Sequence, residues 1–250
     1  MNLDNSSLLR WVLVETSHPR NVGSAARALK TMGFSDLRLI KPKLKGIAAN
    51  PEAIALASGA ADILEASSES DSLASAVEGC TLVLGLTSRD REFGPPAIDW
   101  ESARSLIADA VSCGNKVALL FGPERTGLDN DHLVLCTHRV WLEANPAYPS
   151  LNLAQAIMVC AYTLRETLLS NQESHNSLGN RQEMADFADP AAVAAMLEHW
   201  REGLEAIGYL DPANPKKLMP RIQALFARSR LHKEEIDLLR GIAKQMLLRK

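Results

Sequence analysis

The sequence predicts an α/β protein built on a parallel β-sheet. Short runs of leucine and β-branched residues alternate with helical patterns through about residue 170, and these runs are continuously apolar. Strands of that kind are typical of parallel sheets covered by helices on both faces. The runs expected to form strands are LLRWVLVE, DLRLIKP, TLVLGLTS, KVALLFG and RVWLEA.

The stretch after the first strand, residues 21–33, has the pattern of an amphipathic helix. Its apolar residues fall at helical spacing and leave Arg27 and Lys30 near the other face. Gly23 is expected to permit a turn at the start of this stretch. Residues 151–169 repeat this pattern, and Ser150 is placed to cap that helix. The two expected buried stripes are Val22, Ala25, Ala26, Leu29 and Met32, and Ala154, Ile157, Met158, Ala161, Leu164 and Leu168.

A polar, aperiodic segment at 169–184, rich in Asn, Ser and Gln, is expected to be a flexible linker. It separates a first domain, 1–168, from a helical C-terminal extension, 185–250. The helical patterns of the extension cover 190–207, roughly 214–228 and roughly 233–248. These helices are too short in total for a self-sufficient core, so we expect them to pack on the first domain or on a second subunit.

The composition is that of an ordinary globular protein, with 46% hydrophobic and 23% charged residues in 250. Four widely spaced cysteines without a CxxC pair are expected to be small core residues, so neither a disulfide framework nor a metal site is implied. We expect no membrane segment, because no apolar run approaches the roughly 18 residues of a spanning helix. The amino terminus also lacks the pattern of a secretion signal, so we expect a cytoplasmic protein.

Charge is unevenly distributed along the chain. The net charge is −3, yet residues 10–45 carry +6 and residues 211–250 carry +6, which leaves −15 on the remainder. A phosphate backbone responds to such local fields rather than to the overall charge. The alternative is that these residues form solvated helix faces, and charge alone favours that alternative.

Several common catalytic signatures are missing from the sequence. It contains no GxGxxG after the first strand, no GxxxxGK[ST], no GxSxG and no HExxH. Dinucleotide binding, P-loop hydrolysis, the serine-hydrolase elbow and zincin chemistry are therefore disfavoured. The histidines are scattered, and His132 with His138 is expected to be a local loop and surface pair rather than a ligand set.

Three polar loops follow predicted strands, at 21–27, 121–128 and 145–156. Because loops after the carboxyl ends of parallel strands converge on one crevice, these loops are candidates for a single site. Gly122 and Gly127 are expected to supply unusual backbone angles in the second loop. Each residue alone also fits a helix cap, a turn, a solvated face or, for Glu124 with Arg125, a loop ion pair; only the combination favours a site.

The three loops resemble the motifs of the SPOUT class of S-adenosylmethionine-dependent RNA methyltransferases, in its SpoU or TrmH-type ribose branch. NVGSAARAL is similar to the first motif, LLFGPERTGL to the second and YPSLNLAQA to the third, in the family's order. VLVETSHPRNVGSAARALKTMGF, ANPAYPSLNLAQA and LLRGI at 238–242 resemble, more narrowly, the bacterial tRNA 2′-O-methyltransferases that act at the anticodon loop. This resemblance spans nearly the whole chain and implies methylation of the ribose of tRNA nucleotide 32.

The resemblance implies a sheet whose carboxyl-terminal part forms a deep trefoil knot, a departure from the usual rules of chain crossing. It also implies a homodimer whose active sites are completed at the subunit interface. The methyl donor, S-adenosylmethionine, is expected to lie bent in the knot. Carried over by motif, its contacts are Leu86, Thr87, Ser88, Gly122, Leu142, Pro149, Ser150 and Leu151.

The catalytic residues that the resemblance implies are Arg27, Asn21, Glu124, Ser150 and Asn152. Arg27 is expected to place positive charge beside the developing alkoxide or the neighbouring phosphate, since a guanidinium holds its proton too tightly to serve readily as a base. Asn21 and Asn152 would orient ribose or phosphate, and Glu124 would hold Arg27 or Asn21. Ser150 would touch donor or ribose. The acceptor of the ribose proton, phosphate or water, stays open, as does whether Arg27 acts in its own subunit's site.

The two basic segments then acquire a use as contacts to an RNA backbone. The expected contacts are Arg10, Lys41, Lys43, Lys45, Lys216, Lys217, Arg221, Arg228 and Arg230. Such phosphate contacts give affinity rather than sequence choice. Two alternatives stay open at this point: a ribose methyltransferase acting on ribosomal RNA or another tRNA position, and a catalytically silent knotted RNA-binding module.

Overall fold

The computed structural model describes residues 6–87, 94–174, 188–229 and 231–248, which form an α/β fold around a seven-stranded, wholly parallel sheet. The strands are β1 (Leu9–Val14), β2 (Asp36–Ile40), β3 (Ser68–Ser70), β4 (Cys80–Leu86), β5 (Ala97–Asp99), β6 (Lys116–Phe121) and β7 (His138–Trp141). Their order across the sheet is β3-β2-β1-β6-β4-β7-β5. All the predicted strands are confirmed; β3 and β5, the short strands at the two edges, lack the apolar run that marks the others.

Helices flank the sheet, with three short 3₁₀ turns at 6–8, 47–49 and 58–60. The helices are α1 (Pro19–Met32), α2 (Pro51–Ala57), α3 (Ala61–Ala66), α4 (Leu73–Ala76), α5 (Trp100–Ser112), α6 (Asn130–Leu133), α7 (Leu153–Ser174), α8 (Pro190–Ala206), α9 (Leu218–Ser229) and α10 (Lys233–Leu248). No helix among the described residues is both long and apolar enough to cross a membrane.

The larger core lies between the sheet and the face covered by α1, α5 and α7. Trp11 of β1 is fully buried there, with its ring centroid 5.2 Å from that of Phe34 and 5.9 Å from that of Phe121. The predicted stripe of α1 is buried except for half-buried Met32, and Arg27 is exposed as expected. The period of the apolar residues therefore predicted correctly which face of α1 enters the core.

Gly23 serves packing rather than a turn. It lies inside α1, and a Cβ added to it would come within 2.1 Å of the carbonyl oxygen of Ala53 in α2. No L side chain fits this gap, so glycine is required by the close approach of the two helices. Our interpretation of this glycine as a turn residue was wrong because α1 already begins at Pro19.

The start of α7 differs from the prediction. The side-chain Oδ1 of Asn152, not Ser150, accepts hydrogen bonds from the amides of Ala154 and Gln155, at 3.0 and 3.3 Å. Met158, expected in the buried stripe, is 36% exposed. The helix continues to Ser174, into the segment that was predicted to be a linker, and residues 175–184 of that segment lie outside the described residues.

The C-terminal helices α8, α9 and α10 form a small cluster of their own and also contact the sheet region. Met196, Leu197 and Ile236 belong to that cluster, and the Nε1–H of Trp200 donates to the carbonyl oxygen of Leu239. Asp189, which caps α8, accepts a hydrogen bond of 2.8 Å from the amide of Gly79. The extension therefore packs on the first region, one of the two arrangements expected.

Three of the four cysteines are buried, which agrees with their prediction as core residues. Burial raises the pKa of Cys80 to about 11, and burial also raises the pKa of Cys136 and of Cys160. A protonated, buried thiol is a poor nucleophile and a poor metal ligand, so these cysteines serve packing.

Candidate active site

The carboxyl ends of four adjacent strands, β1, β6, β4 and β7, meet at one edge of the sheet. The side-chain amide of Asn21 donates to Oε1 of Glu124 at 3.0 Å, which joins the loop after β1 to the loop after β6. The side-chain amide of Asn152 donates to Oδ1 of Asn21 at 3.1 Å, which joins the loop after β7 to the same point. The predicted convergence of three loops on one crevice is confirmed by these contacts.

Glu124 is an ionised acceptor whose two oxygens are fully used. Its Oε1 accepts from the Thr16 hydroxyl at 2.8 Å and from Asn21, and its Oε2 accepts from the Ser17 amide at 3.1 Å and the Ser17 hydroxyl at 3.0 Å. Partial burial raises the pKa of Glu124, but the hydrogen bonds from Asn21, from backbone amides and from Thr16 outweigh it and lower the pKa to about 2. The carboxylate is therefore a fixed anchor and a poor proton acceptor at neutral pH.

The hydrogen bonds from α7 to Glu124 run in one direction. At one end, backbone amides of α7 can only donate, so they fix Oδ1 of Asn152 as the acceptor. At the other end, an ionised carboxylate can only accept, so it fixes Nδ2 of Asn21 as the donor. The central bond from Nδ2 of Asn152 to Oδ1 of Asn21 satisfies both constraints, and the orientation of both amides follows from the network.

Both asparagines keep one N–H that this chain of hydrogen bonds does not use. Among the described residues, neither remaining N–H has an assigned protein acceptor, and Asn152 is exposed. A ligand atom placed against these amides is therefore recognised as a hydrogen-bond acceptor, such as a phosphate or ribose oxygen.

Asn21 is the third residue of α1 rather than its cap. The capping position belongs to His18, whose side chain makes no capping hydrogen bond, and Pro19 opens the helix. The side chain of Asn21 is turned instead to Glu124 and Asn152. The alternative interpretation of Asn21 as a simple helix cap is therefore wrong.

Arg27 lies on the same helix, on the order of 9 Å further along its axis. It is exposed and forms no ion pair with any carboxylate in the described part of the chain. Of the two partners considered for Glu124, the structure shows Asn21 and not Arg27. The guanidinium is thus free to meet a ligand.

The expected donor-binding residues lie next to this network, along β4, β6 and β7. Pairing of Leu86 with Phe121 and with Val140 sets the three strand ends side by side, and the Thr87 amide donates to the carbonyl oxygen of Val140 at 2.9 Å. Leu142 is half-buried and Leu151 is 41% exposed. Apolar side chains beside backbone groups of strand ends fit an adenosine moiety. Pro149 and Ser150 are exposed in the same loop as Leu151, and Ser88 lies outside the described residues.

Gly122 is required by a close approach rather than by an unusual backbone angle. A Cβ on Gly122 would lie 2.2 Å from the backbone nitrogen of Leu128, because the loop folds back on the end of β6. Gly127 does have a left-handed conformation, with φ of 65°, as predicted. The two glycines of the loop thus serve different purposes.

The expected RNA contacts differ in how far they reach solvent. Arg10 does not: its side chain is 14% exposed, pairs with Asp36 at 3.0 Å and donates to the carbonyl oxygen of Ala76 at 2.6 Å. We therefore remove Arg10 from the set, because its charge is used inside the fold. Exposed positions are Lys41, Lys43, Lys45, Lys216, Lys217 and Arg221, with Lys43 paired to Glu15. Arg228 lies in α9, and Arg230 lies outside the described residues.

The two histidines that were weighed as a pair have separate roles. His132 completes a capping box with Asp129 at the start of α6. His138, expected at the surface, is only 9% exposed at the start of β7. Among the described residues no three His, Cys, Asp or Glu side chains are grouped as metal ligands.

Sequence reasoning missed Thr16 and Ser17, which supply three of the hydrogen bonds to Glu124. The signal was present, since two hydroxyl residues lie just past the end of the first strand, after Glu15. That position lies at the carboxyl edge of the sheet, where polar side chains point into the crevice.

Comparison with known proteins identifies the class. Residues 9–162 match the SpoU rRNA Methylase family, and residues 191–250 match the C-terminal domain of the tRNA methyltransferase TrmJ. The chain belongs to the SpoU methylase family.

Its relatives include named tRNA-modifying enzymes. The chain is 39% identical to tRNA (cytidine/uridine-2′-O-)-methyltransferase TrmJ of Citrobacter koseri, over 94% of each chain. It is 38% identical to tRNA (cytidine/uridine/adenosine-2′-O-)-methyltransferase TrmJ of Pseudomonas aeruginosa, over 94% of this chain and 91% of that protein. The crystal structure of TrmJ from Z. mobilis ZM4 is similar with a TM-score of 0.77 and 30% identity, over 95% of this chain and 98% of the other.

Proposed function

We propose that the protein methylates the 2′-oxygen of a tRNA ribose in the anticodon loop, at nucleotide 32, with S-adenosylmethionine as the methyl donor. The observation that carries this proposal is the hydrogen-bonded chain from Glu124 through Asn21 to Asn152, with exposed Arg27 on the same helix as Asn21. Relatives aligned over 94% of the chain are named tRNA 2′-O-methyltransferases, which favours tRNA over ribosomal RNA as the substrate.

The donor is proposed to bind along the ends of β4, β6 and β7, where Leu86, Gly122 and Leu142 lie. Leu142 and Leu151 would wall the adenine, and backbone groups of Thr87 and Ser150 would meet its polar atoms. When bound, the donor supplies an activated methyl group, so the protein need only position the ribose and prepare its oxygen.

In the proposed mechanism the ribose 2′-oxygen would form a bond to the methyl carbon while the bond between that carbon and the donor's sulfur breaks. The 2′-hydroxyl would lose its proton in the same reaction. Arg27 stabilises the developing negative charge on the oxygen or holds the adjacent phosphate. The free N–H groups of Asn21 and Asn152 hold acceptor oxygens of the ribose or phosphate. Glu124 is not the base, because its lone pairs are occupied; a phosphate oxygen or water receives the proton.

The proposal includes the knot and the homodimer that the family resemblance implies. Insertion of β6 between β1 and β4, and of β7 between β4 and β5, supports a chain that re-enters its own sheet. Exposed apolar side chains on α7, Met158, Val159 and Tyr162, support a subunit interface beside the site. We propose that the subunits pair through α7, in the cytoplasm, where tRNA is modified.

The deciding experiment is methyl transfer from S-adenosylmethionine to an unmodified tRNA transcript, followed by mapping of the methylated nucleoside. A 2′-O-methyl group at nucleotide 32 is expected, and Arg27→Ala should lose it. Methylation at another tRNA position or in ribosomal RNA would keep the chemistry and overturn the assigned substrate. Absence of both donor binding and methylation would favour the silent RNA-binding module.

A further inference from the structure

The β1 end of the site contains two hydroxyl residues whose side chains both point to the same carboxylate. Thr16 is fully buried, and its Oγ1–H donates to Oε1 of Glu124 at 2.8 Å. Ser17 donates to Oε2 through both its amide, at 3.1 Å, and its hydroxyl, at 3.0 Å. Each carboxylate oxygen is therefore held from the β1 side, and the rotation of the group is fixed.

We propose that Thr16 and Ser17 are positioning residues for methyl transfer: they hold the Glu124 carboxylate in the one orientation from which it directs the amide of Asn21, and through it that of Asn152. This inference rests on the proposed function for its kinetic consequence. Neither residue needs to touch the substrate. Their effect passes along the hydrogen bonds of 3.0 and 3.1 Å that join Glu124, Asn21 and Asn152.

The same residues connect the site to the basic loop at 41–45. The carbonyl oxygen of Thr16 accepts a hydrogen bond of 2.9 Å from the amide of Lys43, and Glu15 forms an ion pair with the Lys43 side chain. Glu15 itself has φ of 51°, a conformation uncommon for a residue other than glycine. Such a conformation persists only where its surroundings hold it. Here the Glu15 amide donates to the carbonyl oxygen of Ile40 at 2.7 Å, and the next two residues are held by Glu124.

The alternative is that Thr16 is a buried residue whose hydroxyl merely satisfies a carboxylate. The two interpretations differ in their effect on the asparagines. A structural role predicts a general loss of stability when the hydroxyl is removed. The rate of methyl transfer by the molecules that stay folded would then be unchanged. A positioning role predicts a slower chemical step with donor affinity unchanged.

The test replaces Thr16 by Val, which keeps the shape and removes the hydroxyl, and by Ser, which keeps the hydroxyl. We expect Thr16→Val to lower kcat about tenfold or more, as the loss of a hydrogen bond to a charged group implies, with the Kd for S-adenosylmethionine changed less than about twofold. Thr16→Ser should restore most of the rate. Thr81→Val is the matched control, because the buried hydroxyl of Thr81 at the start of β4 has no hydrogen-bond partner in the described chain.

A second readout does not depend on activity. Nuclear magnetic resonance of the full-length protein should show a changed side-chain amide signal for Asn21 in Thr16→Val, and a Glu124 carboxyl that titrates at higher pH than in the parent. Ser17→Ala provides the same test at a partly exposed position if Thr16→Val does not fold. Parental Asn21 and Glu124 signals in both variants would overturn the inference, whereas a parent protein inactive on tRNA would overturn only the proposed function.

Discussion

Two halves of the carboxyl edge of the sheet, one around β1 and the other around β4 and β7, present different kinds of chemical groups. Around β1, the site consists of side chains that bond to one another across three loops, namely Glu124, Asn21 and Asn152. Around the ends of β4, β6 and β7, the proposed donor site consists of strand ends, the crowded Gly122 and apolar side chains. The first half should respond to the loss of single polar atoms, and the second to changes of shape.

This difference separates two tasks. A developing charge on oxygen requires donors fixed in advance, and hydrogen bonds between side chains supply that rigidity. The flat adenine of the proposed donor requires a slot of constant width, which strand ends and apolar side chains supply. Substitutions around β1 should therefore change the rate of catalysis and leave donor affinity unchanged. Substitutions around β4 and β7 should change donor affinity and leave the rate with bound donor unchanged.

The largest effect is expected from Arg27→Ala. Because Arg27 is proposed to stabilise the charge on the reacting oxygen, its removal should lower kcat on the order of a hundredfold to a thousandfold. Single-turnover methyl transfer to tRNA measures the loss, and calorimetry should show donor affinity within twofold of the parent. Arg27→Lys, which keeps the charge without the planar fork, should fall between the two. Residual activity within tenfold of the parent in Arg27→Ala would remove this residue from its role.

The opposite half is tested by Gly122→Ala. Because the new Cβ would lie 2.2 Å from the backbone nitrogen of Leu128, the loop after β6 must shift. A displacement of this scale should weaken donor binding about tenfold to a hundredfold, measured by calorimetry. Gly59→Ala is a suitable control, since a Cβ there meets nothing within 4 Å. Unchanged donor affinity in a folded Gly122→Ala would place the donor elsewhere.

The helix that supports the first half is tested by Gly23→Ala. Its Cβ would meet the carbonyl oxygen of Ala53 at 2.1 Å, so α1 and α2 must separate. The free energy of unfolding should fall by about 1–3 kcal/mol, as for other overpacked cores. The matched helical glycine is Gly241, which has open space around it, and its replacement by Ala should stabilise the protein by about 0.5–1 kcal/mol. Denaturant titration of both variants distinguishes crowding from helix propensity.

These two halves also differ in what the sequence alone could predict. Continuous apolar runs predicted β1, β2, β4, β6 and β7, and apolar residues at helical spacing predicted the buried face of α1. Parallel topology predicted that the loops at 21–27, 121–128 and 145–156 converge, and the family resemblance selected Asn21, Glu124 and Asn152 within them. Their residue types indicate hydrogen bonding, so the side-chain half of the site was within reach of the sequence.

The errors share a physical cause, which is contact between distant segments. The need for Gly23 comes from Ala53, and that for Gly122 from the returning loop, neither of which is visible in the local sequence. Arg10 belongs to a charged cluster only in the sequence; in space it faces Asp36 and the carbonyl oxygen of Ala76. Charge counting cannot distinguish a buried arginine from a solvated one.

The electrostatic state of the first half is tested by pH. The pKa of Glu124 is lowered from its ordinary value of 4.5 to about 2, so its hydrogen bonds stabilise the folded protein above pH 4.5. This stabilisation should be lost as pH falls from 4.5 towards 2. Solvent screening limits its size, and we expect Glu124→Gln to cost about 1–2 kcal/mol at pH 7. The difference in unfolding free energy between parent and variant should narrow with acid; a constant difference would show that the charge is not what holds the network.

The smallest effects are expected at the exposed basic residues. These residues test whether RNA contacts both the catalytic region and the helical C-terminal extension. Lys41 and Lys45 follow β2, whereas Lys216 and Arg221 lie near the start of α9, and all four are exposed. If each contacts a phosphate, replacement by Gln should lower the slope of log affinity against log salt by roughly 0.7–0.9 per residue. Filter binding of tRNA over a range of salt concentrations measures this slope, with donor affinity as the control. If only the Lys41 and Lys45 variants reduce the slope, then Lys216 and Arg221 contact no phosphate. The RNA would then be confined to the catalytic region, and the helical extension would have a purely structural role.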